Sequence, residues 1–120
     1  MEIREIAEKF ASGQFAAVFE YLADDVEWNV IGDFRVSGRL AVIEKCTQIS
    51  SYFASVTTDF RTLNTIVNGP RVAINGTAKF ISNGDAVNCV SSCDVFEFSD
   101  SGHLARITSY CISDKQGDLT

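Results

Sequence analysis

Asp94 is the side chain in this sequence best placed to move a proton. It stands inside the apolar run from Val90 to Phe98 (VSSCDVFEF), followed by a turn, Ser99-Asp100-Ser101-Gly102, and by a second strand-like run ending at Tyr110-Cys111. A carboxyl group on the inner face of such a hairpin loses its hydration, which disfavours the charged form, so the acid keeps its proton and can donate it. A structural role is equally open, in which the carboxyl accepts hydrogen bonds from Ser92, Ser109 or backbone amides and fixes strand register. Asp33, in Gly32-Asp33-Phe34, is the second carboxyl candidate. Gly-Asp pairs ordinarily make exposed turns, but a shift of this loop would bring the side chain inward as a base. His103 follows Gly102 at a hairpin, where a solvated imidazole without a partner is expected. Cys111 has no base beside it and reads as a small core residue rather than a nucleophile.

The elements that must hold these groups follow from periodicity. Ile3, Ile6, Ala7 and Phe10 recur at helical spacing until Ser12-Gly13 breaks the pattern, and Phe15, Val18, Phe19 and Leu22 form a second short helical stripe. Asp25 to Gly32 alternates, with Val26, Trp28 and Val30 on one side and Glu27 and Asn29 on the other, as a half-buried strand does. Ser37 is the expected cap of a long helix carrying Leu40, Ile43, Cys46, Ile49 and Phe53. From Thr57 onward the chain is β-rich. Phe60 to Asn68 reads as a strand, Gly69-Pro70 as a turn, and Val72, Ile74, Ala78 and Phe80 alternate with polar residues before the hairpin signal Asn83-Gly84.

The last two strands, Ala86 to Phe98 and His103 to Ser113, are partly apolar on both faces, with Val90 and Phe96 beside Asp94 and with Cys89, Cys93 and Val95 opposite. Helices cover one face of a sheet only, so the outer face calls for a second cover, and a homodimer through that face is expected. The residues from Asp114 to Thr120 read as a polar tail. The implied architecture is α+β: three helices packed in the concave face of a curved, mixed but mainly antiparallel sheet, enclosing a cone-shaped pocket.

Composition sets the outer limits. The 120 residues suit one domain, 1–120, large enough to bury a core unaided, and 46% apolar residues with nine Phe predict an aromatic interior. A net charge of −6, with ten scattered Lys and Arg, argues against nucleic acid and anionic membranes, both of which need a basic stripe. MEIREIAEKF has no continuous hydrophobic run, so neither a signal peptide nor a spanning helix is expected and the cytoplasm is the predicted compartment. There Cys46, Cys89, Cys93 and Cys111 stay free thiols. No metal site is expected, because Cys89 and Cys93 lie roughly 13 Å apart along a strand, too far to share an ion.

The order and spacing of several short segments resemble the nuclear transport factor 2-like, or cystatin-like, superfamily in its SnoaL-like and ketosteroid isomerase branch. The segments are Gly13-Gln14-Phe15, Leu22-Ala23-Asp24-Asp25-Val26-Glu27-Trp28, Gly38-Arg39, and Asp94-Val95-Phe96-Glu97-Phe98 with Gly102 and Tyr110. The resemblance implies a cone lined by Trp28 and Val30, with Ile6, Phe10, Phe19, Phe53, Phe60, Phe80, Val90, Phe96, Ile107 and Cys111 around them. Asp94 matches the protonated acid of ketosteroid isomerase, a carboxylic acid that its apolar site keeps neutral. The base position of that enzyme falls on Val30 and its tyrosine position on Ile6, so its mechanism is not expected here.

Polyketide cyclases of the SnoaL type imply instead an acid-base Asp with no metal and no organic cofactor. Three functions follow from these readings. One is a cofactor-free cyclase, isomerase or hydrolase acting on a polyketide-, steroid- or terpenoid-like compound, with Asp94 as acid and Asp33 as the other catalytic candidate. The second is a non-catalytic receptor for a hydrophobic small molecule. The third is a protein-interaction or dimerisation module, whose mark would be a filled cone and an exposed apolar patch.

Overall fold

A computed structural model describes residues 1–114. The expected polar tail, apart from Asp114 itself, lies outside the described residues. Helix α1 (Ile3–Ala11) is followed by a 3-10 helix (Phe15–Tyr21), strands β1 (Leu22–Val30) and β2 (Phe34–Ser37), helix α2 (Arg39–Ala54), and strands β3 (Thr57–Asn68), β4 (Arg71–Ser82), β5 (Asp85–Phe98) and β6 (Leu104–Asp114). The six strands form one sheet in the order β2-β1-β6-β5-β4-β3. Neighbours are antiparallel except β1 and β6, which run parallel, so the sheet is mixed but mainly antiparallel as expected.

Helix α1 turns Ile6, Ala7 and Phe10 inward and packs on β3, β4 and β5, and the Thr65 hydroxyl donates to the Glu8 carboxylate at 2.8 Å. It ends where Gly13 takes φ +82, a left-handed conformation that a side chain resists. A Cβ on Gly13 would also stand 3.1 Å from the Phe53 ring and 3.2 Å from Phe60, so this glycine lets the turn approach the aromatic wall of the cone.

Two local expectations are corrected. Ser37 does not cap α2. It ends β2, a strand not foreseen because Phe34-Arg35-Val36-Ser37 is only four residues long, and Gly38 takes the cap position with φ +94. The Gly38 N–H donates to the Val26 carbonyl at 2.8 Å, which ties the start of α2 directly to β1. Leu40 is 82% exposed, whereas Val42 and Cys46 are fully buried, with Ile49 and Phe53 packed against the core. Leu40 lies two residues before Val42, about 200° around the helix, and therefore faces away from the buried stripe.

The β4–β5 hairpin turns at Asn83-Gly84, both at positive φ, as the sequence signal requires. Register places Ile74, Asp94 and Ser109 side by side on the concave face, with Val72, Phe96 and Ile107 in the next row. The opposite face carries Ile66, Ala73, Val95 and Thr108 in one cross-strand row, and Tyr110 and Ile112 nearby are 49% and 72% exposed. The outer face is therefore partly apolar, as read from the sequence, since the row on one side of it carries Arg71, Glu97 and Arg106 and the rows on the other carry Asn75, Thr77 and Ser91. No helix among the described residues is long and apolar enough to cross a membrane.

Candidate functional site

The concave face and the helices enclose an open cavity of about 260 Å³. Its walls are mostly rings: Phe10 and Phe15 from the helical segment, Trp28 and Phe34 from β1 and β2, Phe53 from α2, Phe60 from β3 and Phe80 from β4. Phe53 and Phe80 stack at 5.6 Å with an interplanar angle of 17°, and Phe60 meets Phe53 edge-on at 5.3 Å. Trp28 stands edge-to-face with both Phe10 (5.0 Å) and Phe34 (5.2 Å). Such packing fixes ring orientation as well as burying area.

Asp94 lies in this lining and is only 9% exposed, the one buried ionisable carboxyl group among the described residues. Strand pairing sets Ser109 directly opposite it, 2% exposed. Trp28 Nε1–H donates to Ser109 Oγ at 3.0 Å, which leaves the Ser109 hydroxyl proton to donate to the Asp94 carboxyl group. Burial drives the Asp94 pKa up to about 6, and the Ser109 hydrogen bond partly opposes that rise by stabilising the carboxylate. Burial thus moves the acid toward neutrality without carrying it past pH 7. The carboxylate form predominates at neutral pH, and the protonated form expected from the sequence takes over only below about pH 6.

The other polar groups of the lining are Asp33, Ser92 and Cys111, and none of the lining side chains among the described residues is basic. Asp33 sits in the exposed turn between β1 and β2 and also borders the cavity. The thiol of Cys111, at the more exposed end of β6, is pushed up to about 11, first by burial and then by the negative charges of Asp94 and Asp33. It is a thiol at neutral pH, a poor nucleophile. A smaller recess of about 40 Å³ adjoins the cavity at Asp94 and Ser92 and runs to Thr62, Gly76 and Thr77, with room for water.

Phe10, Trp28, Val30, Asp33, Phe53, Phe60, Phe80, Val90, Asp94 and Cys111 are brought together around the cavity. Ile6, Phe96 and Ile107 are not. They are fully buried in the packed core, and Phe19 packs against that core without reaching the cavity. Inward-facing position was the right criterion for a core residue but not for a lining one, since the helices seal the rows nearest them. Phe15, Phe34 and Ile49 are lining residues that sequence reasoning missed, because the first lies in the short 3-10 helix and the second in the unrecognised β2. His103 lies outside this cavity, exposed, with its Nδ1 2.8 Å from the Ser101 hydroxyl.

A curved mixed sheet closed by helices around a cavity that holds one buried carboxyl group defines a cone of the α+β class. The model of the SnoaL-like domain family matches residues 3–107, and the chain belongs to that family. It is similar to an NTF2-like protein of unknown function from Cytophaga hutchinsonii, with 33% identity over 90% of this chain and 94% of that one and a TM-score of 0.81. An LEH-like epoxide hydrolase from M. tuberculosis shares the fold at 21% identity, covering 92% of this chain and 82% of that one, TM-score 0.69. So does a protein from work on de novo design of diverse pocket structures, at 16% identity over 89% and 92%, TM-score 0.68. Curated proteins yield no match.

Proposed function

We propose that this chain is a SnoaL-like pocket protein that acts without a cofactor on a hydrophobic small molecule, as a cyclase, isomerase or hydrolase, with Asp94 as the acid. The observation that carries this reading is Asp94 itself, a carboxyl group kept nine-tenths buried in an aromatic cavity and held by Ser109. A pKa of about 6 is close to the working range for proton transfer at neutral pH. An apolar ligand that displaces the remaining water raises it further, so binding itself favours the acid form.

At about 260 Å³ the cavity is slightly smaller than the roughly 300–1,000 Å³ clefts that hold drug-sized ligands. A one- or two-ring terpenoid- or polyketide-like compound fits that volume better than a full steroid. The fold shared with an epoxide hydrolase is compatible with such a substrate, and Asp33 at the border of the cavity is the second candidate catalytic group. The test is a titration of small terpenoid epoxides, bicyclic ketones and polyphenols followed by Trp28 fluorescence and product analysis, on wild type and Asp94→Asn. Saturable quenching with turnover that vanishes in Asp94→Asn supports the enzyme. Saturable quenching with no product from any compound favours the carrier, a reading supported by the hydrophobic Val30 and Ile6 at the two remaining isomerase positions.

The same proposal includes self-association through the outer sheet face, on which Ile66, Val95, Tyr110 and Ile112 are spread across β3, β5 and β6. The four free cysteines suit a reducing compartment such as the cytoplasm.

A further inference from the structure

The cavity is charged in one sense only. Asp94 and Asp33 both belong to its lining, and no Lys, Arg or His does among the described residues. The fields of the two carboxylates converge inside it, since both raise the pKa of the same Cys111 thiol. The remaining wall is aromatic, and ring faces carry the negative end of the quadrupole. One of these rings, Phe34, already has the Lys45 ammonium 4.3 Å from its centroid. Among the described residues Asp94 has no cationic partner: Ser109 is its side-chain hydrogen-bond donor, and a buried carboxylate with a hydroxyl as its donor is poorly compensated.

We propose that the cone takes a hydrophobic amine, bound as its ammonium ion, with Asp94 as the counter-carboxylate and the Phe53, Phe60, Phe80 and Trp28 rings around the hydrocarbon part. An ammonium group supplies the charge that Asp94 lacks, in a desolvated place where a charge-assisted hydrogen bond is strong. An anionic ligand would be set against both carboxylates. The net charge of −6 draws cations toward the opening. The inference rests on the cone being an open ligand site and names the class of ligand, independently of turnover.

Three probes that share one hydrocarbon cage separate the cases: 1-adamantylamine, 1-adamantanol and adamantane-1-carboxylate, titrated at neutral pH with Trp28 fluorescence and calorimetry as readouts. The amine should bind at least about tenfold more tightly than the alcohol, in keeping with a charge-assisted bond plus a cation–π contact. The carboxylate should bind least. In Asp94→Asn the amine should fall to the level of the alcohol while the alcohol changes little, and Asp33→Asn should lower the preference by a smaller factor. An alcohol that equals the amine on the wild-type protein, or a carboxylate that binds as well as either, overturns the inference and leaves the open-site reading standing. Absence of binding by all three to folded protein removes both.

Discussion

Trp28 and Ser109 are joined by a buried hydrogen bond, indole Nε1–H to hydroxyl oxygen at 3.0 Å, across 81 residues of sequence. Because Ser109 also faces Asp94, this one hydroxyl links the ring that would report on a ligand to the acid that would act on it. Ser109→Ala leaves the Trp28 N–H without its partner and should cost about 1–3 kcal/mol of stability. It also removes the group that holds the Asp94 pKa down, so carboxyl titration followed by carbon NMR should move above its wild-type midpoint. Ser109→Thr keeps the hydroxyl and should recover the midpoint. A variant that titrates like wild type while losing stability would separate the Trp28 bond from Asp94.

The pH dependence of stability has a sign opposite to that of an ordinary carboxylate. The folded-state pKa of Asp94, about 6, lies above its usual 3.8. Below about pH 4 the group is neutral in both states and contributes no penalty. Between the two values the folded protein binds more protons than the unfolded chain, so its stability contribution falls as pH rises, and the penalty is complete above about pH 6. Asp94→Asn is similar in shape and uncharged. It should stabilise the fold by on the order of 2–3 kcal/mol near pH 8, with the gain fading toward pH 4. Urea denaturation of both proteins across that range checks it, and a pH-independent difference would contradict the buried acid.

Gly76 lies where β3 slips its register against β4, between Thr62 and Asn64. A Cβ there would collide with the Arg61 carbonyl oxygen, a backbone atom that cannot swing aside. Gly76→Ala should therefore destabilise by about 2 kcal/mol or more, at the upper range of overpacking costs, and should disturb the recess beside Asp94. Thermal melts compared with an alanine at the open turn position Gly69 give the control, although positive φ at Gly69 adds its own smaller cost.

Sedimentation velocity at micromolar concentration should show a dimer, and Ile112→Glu on the outer face should shift it to monomer with the secondary structure unchanged. Ile112 is 72% exposed in the single chain, so the substitution burdens the folded monomer little. A wild-type monomer would remove the outer-face proposal.

Much of this was legible because the strands obey period two. The alternation around Asp94 placed it with Val90 and Phe96, away from Cys93 and Val95, and the register agrees residue by residue. The Asn83-Gly84 turn and the end of α1 at Ser12-Gly13 were legible for the same local reason, since each rests on backbone chemistry of a few residues. What was not legible depends on distant partners. Strand β2 exists because β1 offers it an edge, and Ser37 lost the capping role to Gly38 through a backbone bond to Val26. The division of inward residues into lining and sealed core likewise follows from where the helices rest. No periodicity separates Phe80, which borders the cavity, from Phe96, which does not.

The parallel pairing of β1 with β6 has a consequence for how the molecule is made. Strand β6 inserts between β1 and β5, so before it arrives the sheet exists as two unconnected pieces, β2-β1 and β5-β4-β3. A nascent chain leaving the ribosome would hold Asp94 without Ser109, Trp28 without its acceptor, and two open strand edges. Those edges invite pairing with other chains, and closure over so long a sequence separation is slow. The last described strand is thus the keystone: binding competence should appear all at once on its release, and chains halted before Leu104 should aggregate rather than bind.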